Sequence, residues 1–495
     1  MKLYVEGDIN RYYVQTLCMI FFPGAKFAEE EEIDENTPEV SVKVITTENS
    51  IEATSRMKLG EKTSEATRTV EFTDMFSRER TAKIAVGRAV FACGEAMFGY
   101  TPAWGILTGV RPSKMASELL LSGSGVQKAK RVLREEYFVN PKKASLAVNV
   151  ATTEYKIINQ IGDKACSVYV SIPFCPSRCA YCSFVSYTSE KLLSLIPDYL
   201  ERLAREIDGI FNTVKEIGLN VVTVYIGGGT PTILSPDQLR ALLSRITSHI
   251  DPATLLEFTL EAGRPDTITR EKLAVAKEYG VTRISVNPQI LNDDVLHNIG
   301  RRHTVDDFYR AYDIARESGI RDINVDLIAG LPTDTFQSFS RSFDKILELR
   351  PNNITVHTFC AKKSADILKS KSEIYSRTGK IAAKCVDYSQ VKSKNDGYKP
   401  YYMYRQKNTV GNLENVGFAL PGTEGLYNIF MMEEVHTILA AGAGAVTKLV
   451  NFALPGEGSM KIERIFNHKY PYEYLNEEET NATFERVKTF YGKDQ

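Results

Sequence analysis

Between residues 167 and 359 the chain switches repeatedly between two rhythms. Short β-rich runs recur: SVYVSIPF (167–174), VVTVYIG (221–227), EFTLEA (257–262), RISVNPQ (283–289), INVDLIAG (323–330) and NITVHTF (353–359). Amphipathic stretches lie between them, among them SPDQLRALLSRIT, TREKLAVAKEYG, TVDDFYRAYDIARESG and TFQSFSRSFDKILEL. Most open on a Ser, Thr or Asp that can cap a helix. SPDQL is the cleanest start, with Ser235 as the cap and Pro236 at the first helical position. Six βα repeats predict a parallel α/β sheet curled into a partial, TIM-like (β/α)6 barrel, with a doubly wound open sheet as the competing arrangement. In both, ligands belong at the carboxyl ends of the strands.

The flanks read differently. KLYVEG and VSVKVITT have strand composition, and a polar stretch, EKTSEATRTVEFTDMFSRERTAK, leads to a helix near 80–97. PSKMASELL starts a further helix at Pro112, and KAKRVLREEYFV and SLAVNVATTEYKIINQI continue the helical pattern. Beyond 360 a lysine-rich stretch precedes a window holding Tyr401, Tyr402, Tyr404, Arg405, Gln406 and Asn408. YNIFMMEEVHTILAAGAGAVTKLV reads as a buried helix, a glycine turn and a strand, and the C-terminal end as surface helix. The expected division is an α+β accessory domain over 1–160, the barrel over 161–365, and a mixed, substrate-covering extension over 366–495.

A chain of 495 residues is too long for one ordinary core. Its 61 basic residues balance 62 acidic ones, so no global attraction to nucleic acid or an anionic membrane follows. The N-terminus is a poor secretory signal and no apolar run is long enough to span a bilayer, so a cytoplasmic location is expected, without membrane insertion. Eight cysteines do not make a disulfide scaffold at this length. Three of them, Cys175, Cys179 and Cys182, share the short loop SIPFCPSRCAYCSFVS. Thiolates are soft ligands, and three on one loop can serve zinc or an iron–sulfur cluster.

C-x3-C-x2-C after the first barrel strand resembles the radical S-adenosylmethionine (SAM) superfamily. YVSIPFCPSRCAYCSF narrows the resemblance to the oxygen-independent coproporphyrinogen III oxidase group, and the N-terminal extension with WGILTGVRPSK to its HemZ-type branch. The resemblance implies a [4Fe-4S] cluster on Cys175, Cys179 and Cys182, with SAM on the open iron and Tyr169 beside it. It assigns the methionine end of SAM to Gly228, Gly229 and Thr230, its ammonium or adjacent polar groups to Glu261, its carboxylate to Arg301 rather than Arg302, and its ribose to Gln289 and Asp326. Ala361 joins the cofactor-binding set. The implied activity is decarboxylation of coproporphyrinogen III to protoporphyrinogen IX in anaerobic heme biosynthesis, through a 5'-deoxyadenosyl radical. The partners are a tetrapyrrole substrate and an electron donor and acceptor. Lys363, Arg405 and Lys407 are candidates for the propionates, and the Tyr401–Tyr404 window for a tetrapyrrole face or a packed core. Phe184 stands where the oxidases carry a further cysteine, and is the choice of the related heme-chaperone branch. Ser171 stands where they carry histidine. A heme-handling role, or a radical enzyme acting on RNA or protein, are the alternatives.

Overall fold

The computed structural model describes residues 1–22, 27, 37–182, 186–360, 373–406, 409–451, 461–476 and 480–492. The chain forms two compact units. The first comprises Met1–Thr152 with Met403–Glu414, and the second Thr153–Tyr402 with Asn415–Gln495. Among the described residues no helix is long and apolar enough to cross a membrane.

Unit 1 is built on the sheet β1 (Lys2–Glu6), β2 (Glu39–Thr46), β3 (Ser50–Leu59) and β4 (Lys62–Glu71), with β1 parallel to β2 and the rest antiparallel. Helix α1 (Arg11–Phe21) follows β1, and α2 (Arg78–Phe98) packs across β3 and β4. The stretch expected to be merely polar is therefore half of a hairpin. Gly60, at φ 58°, makes the tight turn, and β4 is an edge strand whose side chains are largely exposed. Its alternation is polar on polar and gives no amphipathic signal. Helices α3 (Pro112–Leu121), α4 (Val126–Glu135) and α5 (Pro141–Ile158) follow, with Pro112 at the first turn of α3 as read from the sequence.

Unit 2 holds the βα series. Strands β5 (Ala165–Ile172), β6 (Asn220–Gly228), β7 (Glu257–Glu261), β8 (Arg283–Ser285), β9 (Asp322–Ala329) and β10 (Asn353–Thr358) are all parallel and neighbours in chain order. They alternate with α6 (Glu190–Leu193) and α7 (Ile196–Ile217), α8 (Pro236–Thr247), α9 (Arg270–Glu278), α10 (Asp293–Asn298) and α11 (Val305–Glu317), and α12 (Phe336–Leu349). The capping signals are real: Ser235 and Gln238 form a reciprocal capping box, as do Thr304 and Asp307. The set does not close. After α13 (Glu373–Asn395), β11 (Lys399–Arg405) and β12 (Glu414–Ala419) extend the sheet beyond β10, with β12 antiparallel to it. Past α14 (Leu426–Glu433), β13 (Ile438–Ala441) pairs in parallel with β5, and β14 (Val446–Asn451) and β15 (Lys461–Phe466) complete that edge. The α/β class and an open, partial barrel are thus the observed architecture. Two helices, α15 (Pro471–Asn476) and α16 (Thr480–Phe490), end the chain.

β8 stops at Ser285, short of the run read from the sequence. Val286 N still donates to Asn324 O (2.9 Å), but Pro288 has no N–H to offer a ladder, and the next bridge to β9 is Gln289 with Leu327.

Register sorts the strand residues into two faces. One carries Val168, Val170, Val224, Ile226, Phe258, Leu260, Ile284, Val325, Leu327, Ile354 and Val356, all buried. The other carries Tyr169, Tyr225, Thr259, Glu261, Arg283, Ser285, Asp322, Asn324, Asp326, Asn353, Thr355 and His357. A parallel sheet packed on both faces reads as continuous apolar runs. This one is apolar on the face that amphipathic helices can cover and polar on the face a barrel turns inward.

Candidate functional site

The amino ends of the strands are sealed by charge. Arg283, 4% exposed, donates from Nε to Glu257 Oε2 (3.1 Å) and from Nη2 to Asp322 Oδ2 (3.3 Å). It also hydrogen-bonds Asn353 and the Thr423 carbonyl (2.8 Å). Glu257 in turn accepts the amides of Leu426 (2.9 Å) and Tyr427 (3.1 Å) at the start of α14. Burial works against the arginine's charge, and Glu257 with its other neighbours outweighs it, so its pKa stays above the ordinary value. α14 thereby brings Tyr427 against Tyr225 (ring centroids 4.5 Å apart) and Tyr169 (6.2 Å).

At the opposite, carboxyl ends lies the three-cysteine loop. Its base is closed by Cys175 N donating to Tyr187 O (3.0 Å) and Tyr187 N to Pro173 O (2.8 Å). Cys175 and Cys179 are buried and Cys182 is half-buried. Burial pushes the Cys175 thiol up, the Thr230 hydroxyl pulls against it, and the Cys182 and Cys179 sulfurs push the same way as burial. The Thr230 hydroxyl lies 3.2 Å from Cys175 Sγ. Among the described residues no three of His, Cys, Asp and Glu close on a single metal ion. A four-iron cube does not ask that of its ligands, because each cysteine takes a separate iron.

Two buried arginines from other βα connections clamp this loop. Arg264, just after β7, donates to Ser177 Oγ (2.9 Å), Ser177 O (3.3 Å) and Cys179 Sγ (3.6 Å). Arg301, after α10, donates from Nε and Nη2 to Tyr181 Oη (3.1 and 2.9 Å) and from Nη1 to Gly263 O (3.1 Å). Burial opposes the Arg301 charge, and Tyr181 and Cys179 beside it keep its pKa above the ordinary value. Arg302 is exposed.

The glycine loop after β6 is packed against the base of the cysteine loop. Gly229 N donates to Ile172 O and Thr230 N to Phe174 O, both at 2.8 Å. A Cβ on Gly229 would lie 2.5 Å from the Phe174 carbonyl oxygen, and Gly228 has φ 107°, so neither position tolerates a side chain. The Gly229 and Thr230 amides are therefore already given to the fold.

Glu261 closes β7 and accepts the Tyr225 hydroxyl at 2.5 Å. Burial pushes its carboxyl up to about 7; the Tyr225 and Gly228 hydrogen bonds oppose this and the Asp326 charge adds to it. Asp326 is surrounded instead by donors: Asn287 Nδ2 (2.8 Å), Asn324 Nδ2 (2.7 Å) and His357 Nε2 (3.6 Å). Burial opposes its charge, and the nearby His357 ring and the Asn324 hydrogen bond hold its pKa below the ordinary value. Asn287 Oδ1 also accepts the Asp326 amide. Gln289 is buried in the left-handed region (φ 69°), with Oε1 unpartnered, and Thr259 Oγ1 and Ser285 Oγ are likewise buried without partners. Each such orphan costs ~1–3 kcal/mol unless a ligand satisfies it.

Cys175, Cys179, Cys182, Tyr169, Gly228, Gly229, Thr230, Glu261, Gln289, Arg301 and Asp326 thus all lie on β5–β9 or the connections at their carboxyl ends. Ala361, Lys363, Lys407 and Phe184 lie outside the described residues. Ser171 is committed to the fold, its hydroxyl donating to Ala443 O (3.0 Å). Arg405 is not an accessible carboxylate clamp: it is 4% exposed in unit 1 and donates to Leu107 O (2.6 Å) and Gly109 O (2.8 Å). Burial depresses it to about 10. Tyr401 and Tyr402 are core residues, 1% and 6% exposed and packed against Gly417. Sequence reasoning missed Tyr225, Arg264, Tyr181, Asn287, His357 and Tyr427. The polar–apolar alternation within the strands could have found Tyr225 and His357.

The radical SAM superfamily profile matches residues 169–346, the stretch that carries this site. Along 80% of its length the chain is 37% identical to the oxygen-independent coproporphyrinogen-III oxidase-like protein HemZ of Bacillus subtilis, covering 78% of that protein. It is 31% identical over 64% of its length to the heme chaperone HemW of the same organism, covering 81% of it. Among solved structures, the radical SAM coproporphyrinogen III oxidase HemN of Escherichia coli aligns with 60% of this chain and 67% of its own at 22% identity and a TM-score of 0.46. The chain belongs to the radical SAM superfamily, and within it to the HemZ-type oxygen-independent coproporphyrinogen III oxidase-like family.

Superfamily membership implies an iron–sulfur cluster and SAM, and the donor set fits both. Three thiols on one clamped loop offer soft ligands to three irons. A buried carboxylate that accepts the Tyr225 hydroxyl, an orphaned glutamine oxygen and a carboxylate ringed by donors offer the polar contacts an amino acid and a ribose need.

Proposed function

We propose that this chain is a radical SAM enzyme of anaerobic heme biosynthesis that decarboxylates two propionates of coproporphyrinogen III, giving protoporphyrinogen IX. The observation that carries the reading is the clamped three-cysteine loop at the open end of a polar-lined barrel. The substantial identity to a HemZ oxidase-like protein supports the substrate class. An electron donor and an electron acceptor are supplied by other molecules. Residues 366–495 are assigned to covering the tetrapyrrole and the chain before 161 to an accessory role.

In this reading Cys175, Cys179 and Cys182 hold the cluster. When bound, cluster and SAM together supply one-electron cleavage of a sulfonium and removal of a hydrogen atom from the substrate. The chain's own residues orient the ligand. Gly228, Gly229 and Thr230 allow its methionine end to approach the backbone, and Tyr169 packs beside it. Arg301 has five N–H donors and spends three on Tyr181 and Gly263, so the outer edge of its fork is assigned to the ligand carboxylate. Gln289 and Asp326 take the ribose hydroxyls, and Glu261 the ammonium.

The Glu261 role carries a pH signature. An ammonium needs the carboxylate charged, and with its pKa at about 7 the free site loses that charge as pH falls through neutrality. SAM affinity, measured by anaerobic equilibrium dialysis, should be roughly tenfold weaker at pH 6 than at pH 8. Glu261→Gln should bind weakly at both, and a flat wild-type profile would remove Glu261 from the ammonium site.

The reading itself is tested by anaerobic reconstitution with SAM, dithionite, coproporphyrinogen III and an electron acceptor. Mass spectrometry follows deoxyadenosine and tetrapyrroles together. Stepwise loss of two carboxyl groups matched by deoxyadenosine is expected. Deoxyadenosine with unchanged porphyrin sinks the decarboxylase reading, and a Soret band on adding heme then points to heme handling.

A further inference from the structure

Arg264 has no part in the cofactor contacts described above, yet it is among the most deeply built-in charges at the site. It is 3% exposed, and its fork points two ways. Nε and Nη2 meet the Asp266 carboxylate, each at 3.2 Å, and Nη1 reaches Cys179 Sγ at 3.6 Å. Burial works against Asp266, and the arginine's hydrogen bonds and charge outweigh it, keeping that carboxyl below its ordinary range. The result is an oriented dipole with its positive end at the sulfur and its negative end turned away, toward the more exposed Asp266. Thr230 makes a second polar contact to a ligand sulfur, at Cys175.

We infer that Arg264 sets the reduction potential of the cluster by donating a charge-assisted hydrogen bond to Cys179 Sγ. The inference rests on the cluster assignment proposed above. Adding one electron to a thiolate-ligated cluster makes an already negative group more negative. No bond forms or breaks in that step, and the electron comes from an external one-electron donor. A cation and an N–H aimed at a ligand sulfur stabilise the reduced state more than the oxidised one, and hydrogen bonding to sulfur is a known lever on such potentials. In low-dielectric surroundings the lever is strengthened, because solvent screens it little. Arg264 is thus a positioning residue for the loop, through Ser177, and a tuning residue for the electron, through Cys179.

The test is a potentiometric titration of the reconstituted full-length protein without SAM, with dithionite as reductant and electron paramagnetic resonance of the reduced cluster as readout. Iron and sulfide content are measured on the same samples. Arg264→Gln should retain the cluster but show at least a tenfold lower ratio of reduced to oxidised cluster at a given potential, equivalent to ~59 mV for one electron. Arg264→Lys, which keeps the charge, should recover most of that ratio. A full cluster in Arg264→Gln with an unmoved midpoint overturns the inference. So does loss of the cluster from both variants, which would make the residue purely a loop support. Wild-type protein that takes up no iron and sulfide instead sinks the cluster assignment itself, and this inference with it.

Discussion

Replacing Arg283 by methionine should destabilise unit 2 by about 3–5 kcal/mol, the loss typical of removing one partner from a buried charge network. The arginine is buried and serves Glu257, Asp322, Asn353 and the Thr423 carbonyl at once. Its removal takes that cation from Glu257, 2% exposed, and leaves it the backbone amides at the start of α14. Asp322 keeps a contact to Arg321 (2.9 Å), whose side chain is mostly exposed and therefore a weak substitute. The measurement is amide hydrogen exchange at β7, β8 and β9 in cluster-free protein, which reads local stability without assuming that a two-unit chain unfolds in one step. Protection there should fall roughly 10²–10⁴-fold. Replacing Glu257 as well, by glutamine, should restore part of the loss because the uncompensated charge is gone. Unchanged protection in Arg283→Met would show that the network does not support the barrel floor.

That network also shows what the sequence can and cannot reveal. The βα series was readable because caps and strand runs are local. Ser235 with Gln238 and Thr304 with Asp307 lie three residues apart and their chemistry is visible in one glance at the chain. The cysteine loop was readable for the same reason. Arg264 and Arg301 were not readable as loop clamps, because their partners Ser177 and Tyr181 lie 87 and 120 residues away. Tyr427 arrives from beyond the last barrel strand, and only Glu257's grip on the start of α14 explains its place beside Tyr169. The β3–β4 hairpin was hidden by a different cause, since an exposed edge strand has no apolar face to display. Arg405 looked like a carboxylate clamp by position alone; its burial against backbone carbonyls could be learned only from the fold.

Substituting Cys179 by alanine should abolish the cluster: iron and sulfide near zero after anaerobic reconstitution, and no deoxyadenosine from SAM. The group hydrogen-bonded to its sulfur is the Arg264 guanidinium, a donor with no lone pair to give, and so no replacement ligand. The loop itself should survive. Ser177 remains held by Arg264 and Tyr181 by Arg301, and the Ala180 amide still donates to Ile299 O (3.0 Å). Loss of metal with an unchanged circular dichroism spectrum therefore separates ligation from folding. Cys385→Ser is the matched control. Cys385 lies on α13, buried outside the loop, and burial pushes its thiol up to about 12. It should keep full iron content. A Cys179→Ala protein that retains the cluster, or a Cys385→Ser protein that loses it while remaining folded, would move the ligand set away from the loop and remove the ground for the radical chemistry proposed for this barrel.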